Sequence, residues 1–309
     1  RKGILRRSLD WMPFQLNTAV RRLETIQDEE GEAAYPALAW LMRARGGDPN
    51  LAHTPHTDDT IKADASEAIY GPIAEWDVAD VTNMHRMFLG ARSFNGDLSR
   101  WDVSNVKNMN SMFLEAYIFN GNLSRWDVSN VRDMATMFLK AARFNGDLSR
   151  WDVSNVEDMG GMFVNALSFK GDLSRWDVSN VRDMDTMFLS ATNFNGDLSR
   201  WNVSNVTNMS SMFQNASSFN RDLSRWDVSN VKSTDSMFLS AKSFTSDISR
   251  WDVSNVTNMS SMFAFAKVFD SDLSHWDVSN VTSLNTDAIF SGAAAYGTST
   301  VLPVRIGMR

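Results

Sequence analysis

Few residues in this chain combine the type and the spacing that chemistry requires. His53-x-x-His56, followed by Asp58-Asp59, is a metal-like grouping of imidazoles and carboxylates. It falls in a polar Pro/Thr-rich stretch with no apolar support, whereas metal ligands need a surrounding layer of orienting groups. A solvated linker is the expectation there, and no metal ligand is assigned. Cysteine is absent, which excludes disulfide scaffolds, zinc ribbons, thiol catalysis and iron–sulfur clusters. A second constellation is more regular. Arg100 and Asp102 lie two residues apart, and the pair returns as Arg125/Asp127, Arg150/Asp152 and Arg175/Asp177. Carboxylates in a row suit acid/base work only where burial raises one of them. Here each has an arginine neighbour to hold it ionised, and no cleft is implied. The expectation is a solvated Arg/Asp lattice, or a binding face for a repetitive charged ligand. No catalytic residue and no cofactor site are read from the sequence.

These pairs recur because the chain does. Of its 309 residues, tryptophan returns at Trp76, Trp101, Trp126 and onward to Trp276, always 25 residues apart. Fifteen of the 18 methionines fall at two fixed phases of the same period. A fixed period of this size marks a stacked array rather than a single globular core. Nine units account for residues 69–290, preceded by a head (1–47) and a polar linker (48–68), and followed by a tail (291–309).

One unit reads Phe94-Asn95-Gly96-Asp97-Leu98-Ser99-Arg100-Trp101-Asp102-Val103-Ser104-Asn105-Val106 and continues to Met109, Met112 and Phe113. Trp101-Asp102-Val103 alternates apolar, polar, apolar, as a short strand with one buried face does. From Val106 the apolar residues are three or four apart, which predicts a short helix capped by Ser104 and Asn105. Asn95-Gly96-Asp97 is turn chemistry. The Trp and Met columns are expected in the core. Arg100 and Asp102 should face outward, as two adjacent columns of opposite sign that pair across rungs. The amide recurring at the Asn105 position suggests a ladder that satisfies turn backbone groups. A flat threonine column for ice binding is not formed. Thr82, Thr207, Thr257 and Thr282 share their phase with Lys107, Arg132, Glu157, Arg182 and Lys232. Variation between units concentrates after Phe113 and identity before it.

Leu98-x-x-Trp101-x-Val103 resembles the leucine-rich-repeat spacing, and the whole unit resembles the 25-residue repeat of BspA-like bacterial surface proteins, also found in mycoplasma lipoproteins, protists and algae. The resemblance covers roughly residues 69–290. Two departures are that Trp replaces a Leu, and that Asn105 sits one residue before the usual asparagine. The resemblance implies an α/β repeat, a right-handed leucine-rich-repeat-like solenoid with short parallel strands. It also implies a binding or surface role, cell-surface or secreted, and no catalytic residue.

The head is the segment with a unique sequence. Pro13 and Pro36 each suit the first turn of a helix, and Gly46-Gly47 ends the second, so a small helical N-terminal segment is expected. Arg1, Lys2, Arg6 and Arg7 form a basic cluster beside Trp11 and Phe14, a candidate protein-docking surface. A start without Met leaves room for a removed signal or transit segment. An organelle-resident subunit of a large complex is the alternative localisation. Net charge is −7, with 30 Lys+Arg against 37 Asp+Glu, which disfavours a generic nucleic-acid surface. No stretch approaches the roughly 18 apolar residues of a membrane span. Eight N-x-S/T sequons (Asn122, Asn202, Asn205, Asn208, Asn215, Asn255, Asn258 and Asn280) follow from a repeat rich in Asn, Ser and Thr. They permit glycosylation in a secretory setting without showing it. The expected function is a non-enzymatic interaction solenoid, a scaffold, accessory subunit or surface module. It would bind other proteins through the head and one solenoid face. A carbohydrate-binding surface protein using the Arg/Asp face is the alternative.

Overall fold

A computed structural model describes residues 72–282 and 286–293. The head, the linker and most of the tail lie outside these residues, as does the expected helical N-terminal segment.

Each 25-residue coil is built from turns that start at an Asx residue. The Asp97 carboxylate accepts the N–H of Ser99 at 2.9 Å, and Trp101 then donates to the Leu98 carbonyl. Asp102 repeats the device on Ser104 at 3.0 Å, and Val106 donates to Val103. Asn108 repeats it a third time, accepting the N–H of Asn110 at 2.8 Å. Short polar side chains that bond their own backbone two residues on are what bend a chain this way. Leu98, Trp101, Val103 and Val106 are thereby brought to one side, and all are buried.

From residue 109 the backbone divides its hydrogen bonds between two directions. Met109, Ser111, Phe113 and Glu115 donate to the carbonyls of Asp133, Ala135, Met137 and Leu139 in the next coil, at 2.8–2.9 Å. The alternate residues Met112, Leu114 and Ala116 donate three residues back, within their own coil, at 3.0–3.2 Å. Ser111 and Glu115 hold φ at 56° and 60°, and the other coils from Arg86/Gly90 to Ser261/Phe265 carry positive φ at the same two phases. That left-handed conformation breaks any helix, because L-residues enter it singly. It turns each second peptide to face the neighbouring coil. Parallel bridges join Asn83, Asn108, Asp133, Asp158, Asp183, Asn208, Ser233 and Asn258 in register.

Three aromatic ladders fill the interior. Trp126 and Trp151 stack at 6.4 Å between centroids, 2° from parallel. Phe113 and Phe138 stack at 5.6 Å, and Phe119 and Phe144 at 6.0 Å. Within one coil Phe113 and Phe119 are 4.1 Å apart, which joins two of the ladders into one sheet of rings. Two methionine columns pack beside them, fully buried. At the C-terminal end a one-turn helix, α1 (Thr286–Ile289), takes the place of a further coil. Phe263 and Phe265 donate to the carbonyls of Ile289 and Ser291, and Phe290 continues the Phe263 ladder at 5.5 Å. Substituting for the missing coil is what a terminal unit of a stack must do.

The stack itself agrees with the sequence expectation, but its local structure differs in two respects. The segment expected as a helix forms consecutive turns, and α1 is the only α-helix among the described residues. Turn and helix share an apolar spacing of three, so the pattern Val106, Met109, Met112 fits both. Trp101-Asp102-Val103, expected as the paired strand, alternates inside and outside as predicted but carries no bridge. The parallel register lies at the Asn108 column. The repeat is therefore not an α/β unit. Ser104 and Asn105 cap no helix; Ser104 is itself bound by Asp102.

Candidate interaction surfaces

The Arg/Asp face is exposed, as expected, since Trp101 and Val103 take the inner positions between Arg100, Asp102 and Ser104. The pairing differs. Among the described residues, none of Arg100, Arg125, Arg150 and Arg175 forms an ion pair with Asp102, Asp127, Asp152 or Asp177. The Asp102 carboxylate is held instead by the hydroxyl and N–H of Ser104, which keep its carboxyl below the usual carboxylate range. The arginines act on the other acidic column. Ser99 lowers the Asp97 carboxyl first, through its N–H, and the charge of Arg100 adds a smaller share. Ser149 with Arg150 does the same for Asp147, and Ser174 with Arg175 for Asp172. An aspartate three residues before the arginine, rather than two after it, is the electrostatic neighbour. Fifteen aspartates at these two phases flank seven arginines, so the face as a whole is acidic.

Two amide ladders border it. Asn130 donates through Nδ2 to the carbonyl of Ser104 in the preceding coil at 2.8 Å, and Asn155 does so to Ser129. This is the ladder expected from the sequence. A second one was not anticipated. Asn95 Oδ1 accepts the N–H of Asn120, and Asn120 Oδ1 that of Asn145, each at 2.8 Å. The sequons separate accordingly. Asn205, Asn255 and Asn280 commit Nδ2 to a neighbouring carbonyl, whereas Asn122, Asn202 and Asn258 are exposed and use Oδ1 as a turn acceptor. The hydroxyls of Thr207, Thr257 and Thr282 bond to the preceding coil's carbonyls, so they are not presented outward as a free array.

A third surface went unremarked in the sequence beyond its variability. It is the turn edge that follows the aligned ladder, residues 90–95 and their equivalents. Glu115 pairs with Lys140 at 2.6 Å and Arg92 at 3.5 Å, and Arg92 lies over the Tyr117 ring at 5.5 Å. Leu167, Phe265 and Val268, the exposed large apolar residues among those described, all lie on it. Arg1, Lys2, Arg6, Arg7, Trp11 and Phe14 lie outside the described residues, as do His53, His56, Asp58 and Asp59. Among the described residues no group of three or more His, Asp or Glu side chains could hold a metal ion, and no helix is long and apolar enough to cross a membrane.

Turn-built coils in parallel register, sharing three aromatic ladders and closed by an atypical last unit, define a repeat solenoid. The chain belongs to the family described as "Mycoplasma protein of unknown function, DUF285", whose model matches residues 60–174, 146–245 and 222–301. Among solved structures, the chain is similar to TLR13 in the crystal structure of the TLR13-ssRNA13 complex, at 12% identity and a TM-score of 0.29. That match covers 67% of this chain and 28% of the other, so the chain spans less than a third of its length. No curated protein matches the chain.

Proposed function

We propose that this chain is a non-enzymatic interaction solenoid that binds other proteins, as a scaffold, as an accessory subunit of a larger assembly, or as a surface module of the BspA-like kind. The observation that carries this reading is the division of labour within the coil. The positions that repeat build the stack: Asp97, Asp102, Asn105 and Asn108 bond backbone, and Trp101 and the Phe columns fill the core. Of the positions that vary, the Leu114 column is largely buried, while those of Glu115, Tyr117 and Ile118 and their equivalents are partly or fully exposed beyond the ladder, on a rigid frame. A rigid frame presenting variable side chains suits recognition, because little ordering entropy is lost on binding. The head, with Arg1, Lys2, Arg6, Arg7, Trp11 and Phe14, is proposed as a further protein contact. Nucleic acid is not a proposed partner, in keeping with the acidic balance.

The second reading, carbohydrate binding, is favoured by the seven exposed arginines that form no ion pair among the described residues. Immobilised full-length chain, exposed in parallel to a protein array and a glycan array, separates the two. Saturable binding to particular proteins with no glycan retained supports the first reading. Saturable glycan binding that is lost in Arg150→Ala/Arg175→Ala overturns it.

A further inference from the structure

We infer that the turn edge at residues 90–95 and its equivalents is the docking surface, and that its partner is an acidic polypeptide segment of another protein carrying apolar anchor side chains. This rests on the protein-binding reading above and names its site and ligand class.

Three independent features converge on this edge. The first is apolar exposure. Leu167 is 43% exposed, Phe265 51% and Val268 45%, whereas the other large apolar side chains among the described residues are buried or half-buried. Tyr117, Ala142 and Leu167 occupy one column over three successive coils, with Ile118 alongside Tyr117. Apolar and aromatic side chains clustered in this way are what protein interfaces use as anchors.

The second is charge. At these phases six basic side chains (Arg92, Lys140, Arg143, Lys170, Lys242 and Lys267) stand against two acidic ones, Glu115 and Asp270. The chain as a whole is acidic, and the Asp97/Asp102 face strongly so. Basic charge gathered beside the exposed apolar residues selects an acidic partner, and the adjoining Asp97/Asp102 face repels it, which confines the partner to the edge.

The third is pre-organisation. Lys140 is fixed by Glu115 at 2.6 Å, and Arg92 by Glu115 and the Tyr117 ring. The backbone beneath is pinned to the neighbouring coil, with Arg143 N–H on the Tyr117 carbonyl at 3.1 Å and Lys170 N–H on Asn145 Oδ1 at 2.8 Å. Arg143, Leu167 and Lys170 themselves project outward with exposed side chains.

The test is selection of a random-peptide display library on the full-length chain, followed by titration of the enriched peptides against Arg143→Glu/Leu167→Ser/Lys170→Glu. The expected result is enrichment of peptides combining Asp or Glu with Leu, Phe or Trp. Their affinity should fall at least about tenfold in the triple variant and weaken with added salt. The charge-only variant Arg143→Glu/Lys170→Glu should show a smaller loss in the same direction, and thermal melting confirms that both variants fold. Peptides that bind the triple variant as tightly as the parent overturn this surface while leaving the protein-binding reading standing. No enrichment at all overturns both. A synthetic peptide of residues 28–42, acidic and then apolar, is the control for self-occupancy. If the enriched peptides compete with it while the chain lacking residues 1–47 binds them more tightly, the edge is covered by the chain itself, and the proposal of an external partner fails.

Discussion

The indole N–H of Trp176 donates to the carbonyl oxygen of Leu148 at 3.0 Å, across the boundary between two coils. Trp151 does the same to Leu123 and Trp201 to Leu173. The tryptophan column is thus a hydrogen-bonded seam as well as a packing ladder. Replacing Trp176 with Ala should cost about 3–5 kcal/mol through the space it leaves. Trp176→Phe keeps most of the apolar contact and removes one of two donors from the Leu148 carbonyl, which still accepts the Trp151 N–H, for a loss of about 0.5–1.5 kcal/mol. Arg175→Ala, at an exposed position without an ion pair, should cost less than about 1 kcal/mol. Denaturant titration of the three variants checks the order, and a larger loss for Arg175 than for Trp176 would contradict the assignment of inner and outer positions.

Thr234 occupies the phase held by Met109, Met134, Met159, Met184, Met209 and Met259 in other coils. It is 1% exposed, and its hydroxyl has no hydrogen-bond partner. A buried hydroxyl without a partner costs about 1–3 kcal/mol, and the smaller side chain leaves the methionine column short of atoms. Thr234→Met should raise stability by about 1–3 kcal/mol. An unchanged or lower denaturation midpoint would show that this coil has already closed around the threonine.

The turn carboxylates make stability depend on acid. Serine hydrogen bonds hold Asp97, Asp102, Asp147, Asp172, Asp197, Asp222, Asp227, Asp247 and Asp272 below the ordinary value of 3.8. A carboxyl lowered by folding contributes stability above its unfolded value, and that contribution is lost as pH falls through the folded one. The stack should therefore lose stability progressively below about pH 4. Asp172→Asn/Asp197→Asn should flatten that decline without removing the turns, because Asn also serves as the acceptor at Asn122 and Asn202. Melting temperature followed from pH 6 to pH 2.5 reads the slope.

Asp235 behaves in the opposite sense. Burial raises its carboxyl, and a bond from Ser236 offsets that in smaller part. Its charged form is therefore a liability once the pH is above the folded value. Asp235→Asn should stabilise the chain at neutral pH, and the gain should shrink in acid, where Asp235 takes up its proton. A gain of equal size at both pH values would remove charge burial as the cause.

The stack and its inside/outside alternation were legible because each column is dominated by one residue type. Trp101 beside Asp102 needs no structure to be told apart as inner and outer. The local path was not legible. Val106, Met109 and Met112 recur at intervals that a helix and a run of turns share. What distinguishes them is the left-handed backbone at Ser111 and Glu115, residues that would sit comfortably on the polar face of a helix. The Asp97, Asp102 and Asn108 turns were written in the sequence as Asx residues, each followed two positions on by a polar residue. They read as turn or cap signals without showing that three of them shape most of the coils, Ser233 standing in for the third in one of them. Arg100 was assigned to the nearer acid, Asp102, but that carboxylate already belongs to Ser104. The basic apolar edge was visible only as variability, since no single unit contains enough of it to stand out.

Deleting one full period tests the central claim most directly, that each coil bonds only to its neighbours in a 25-residue register. Removal of residues 151–175 places Trp176 where Trp151 stood and restores every column. The account predicts that this protein folds, melts in one cooperative transition and keeps its buried tryptophan fluorescence, with somewhat reduced stability. Removal of residues 151–162 alone shifts every column out of phase and should abolish that transition. If the full-period deletion unfolds as the half-period deletion does, the chain is not a stack of equivalent coils.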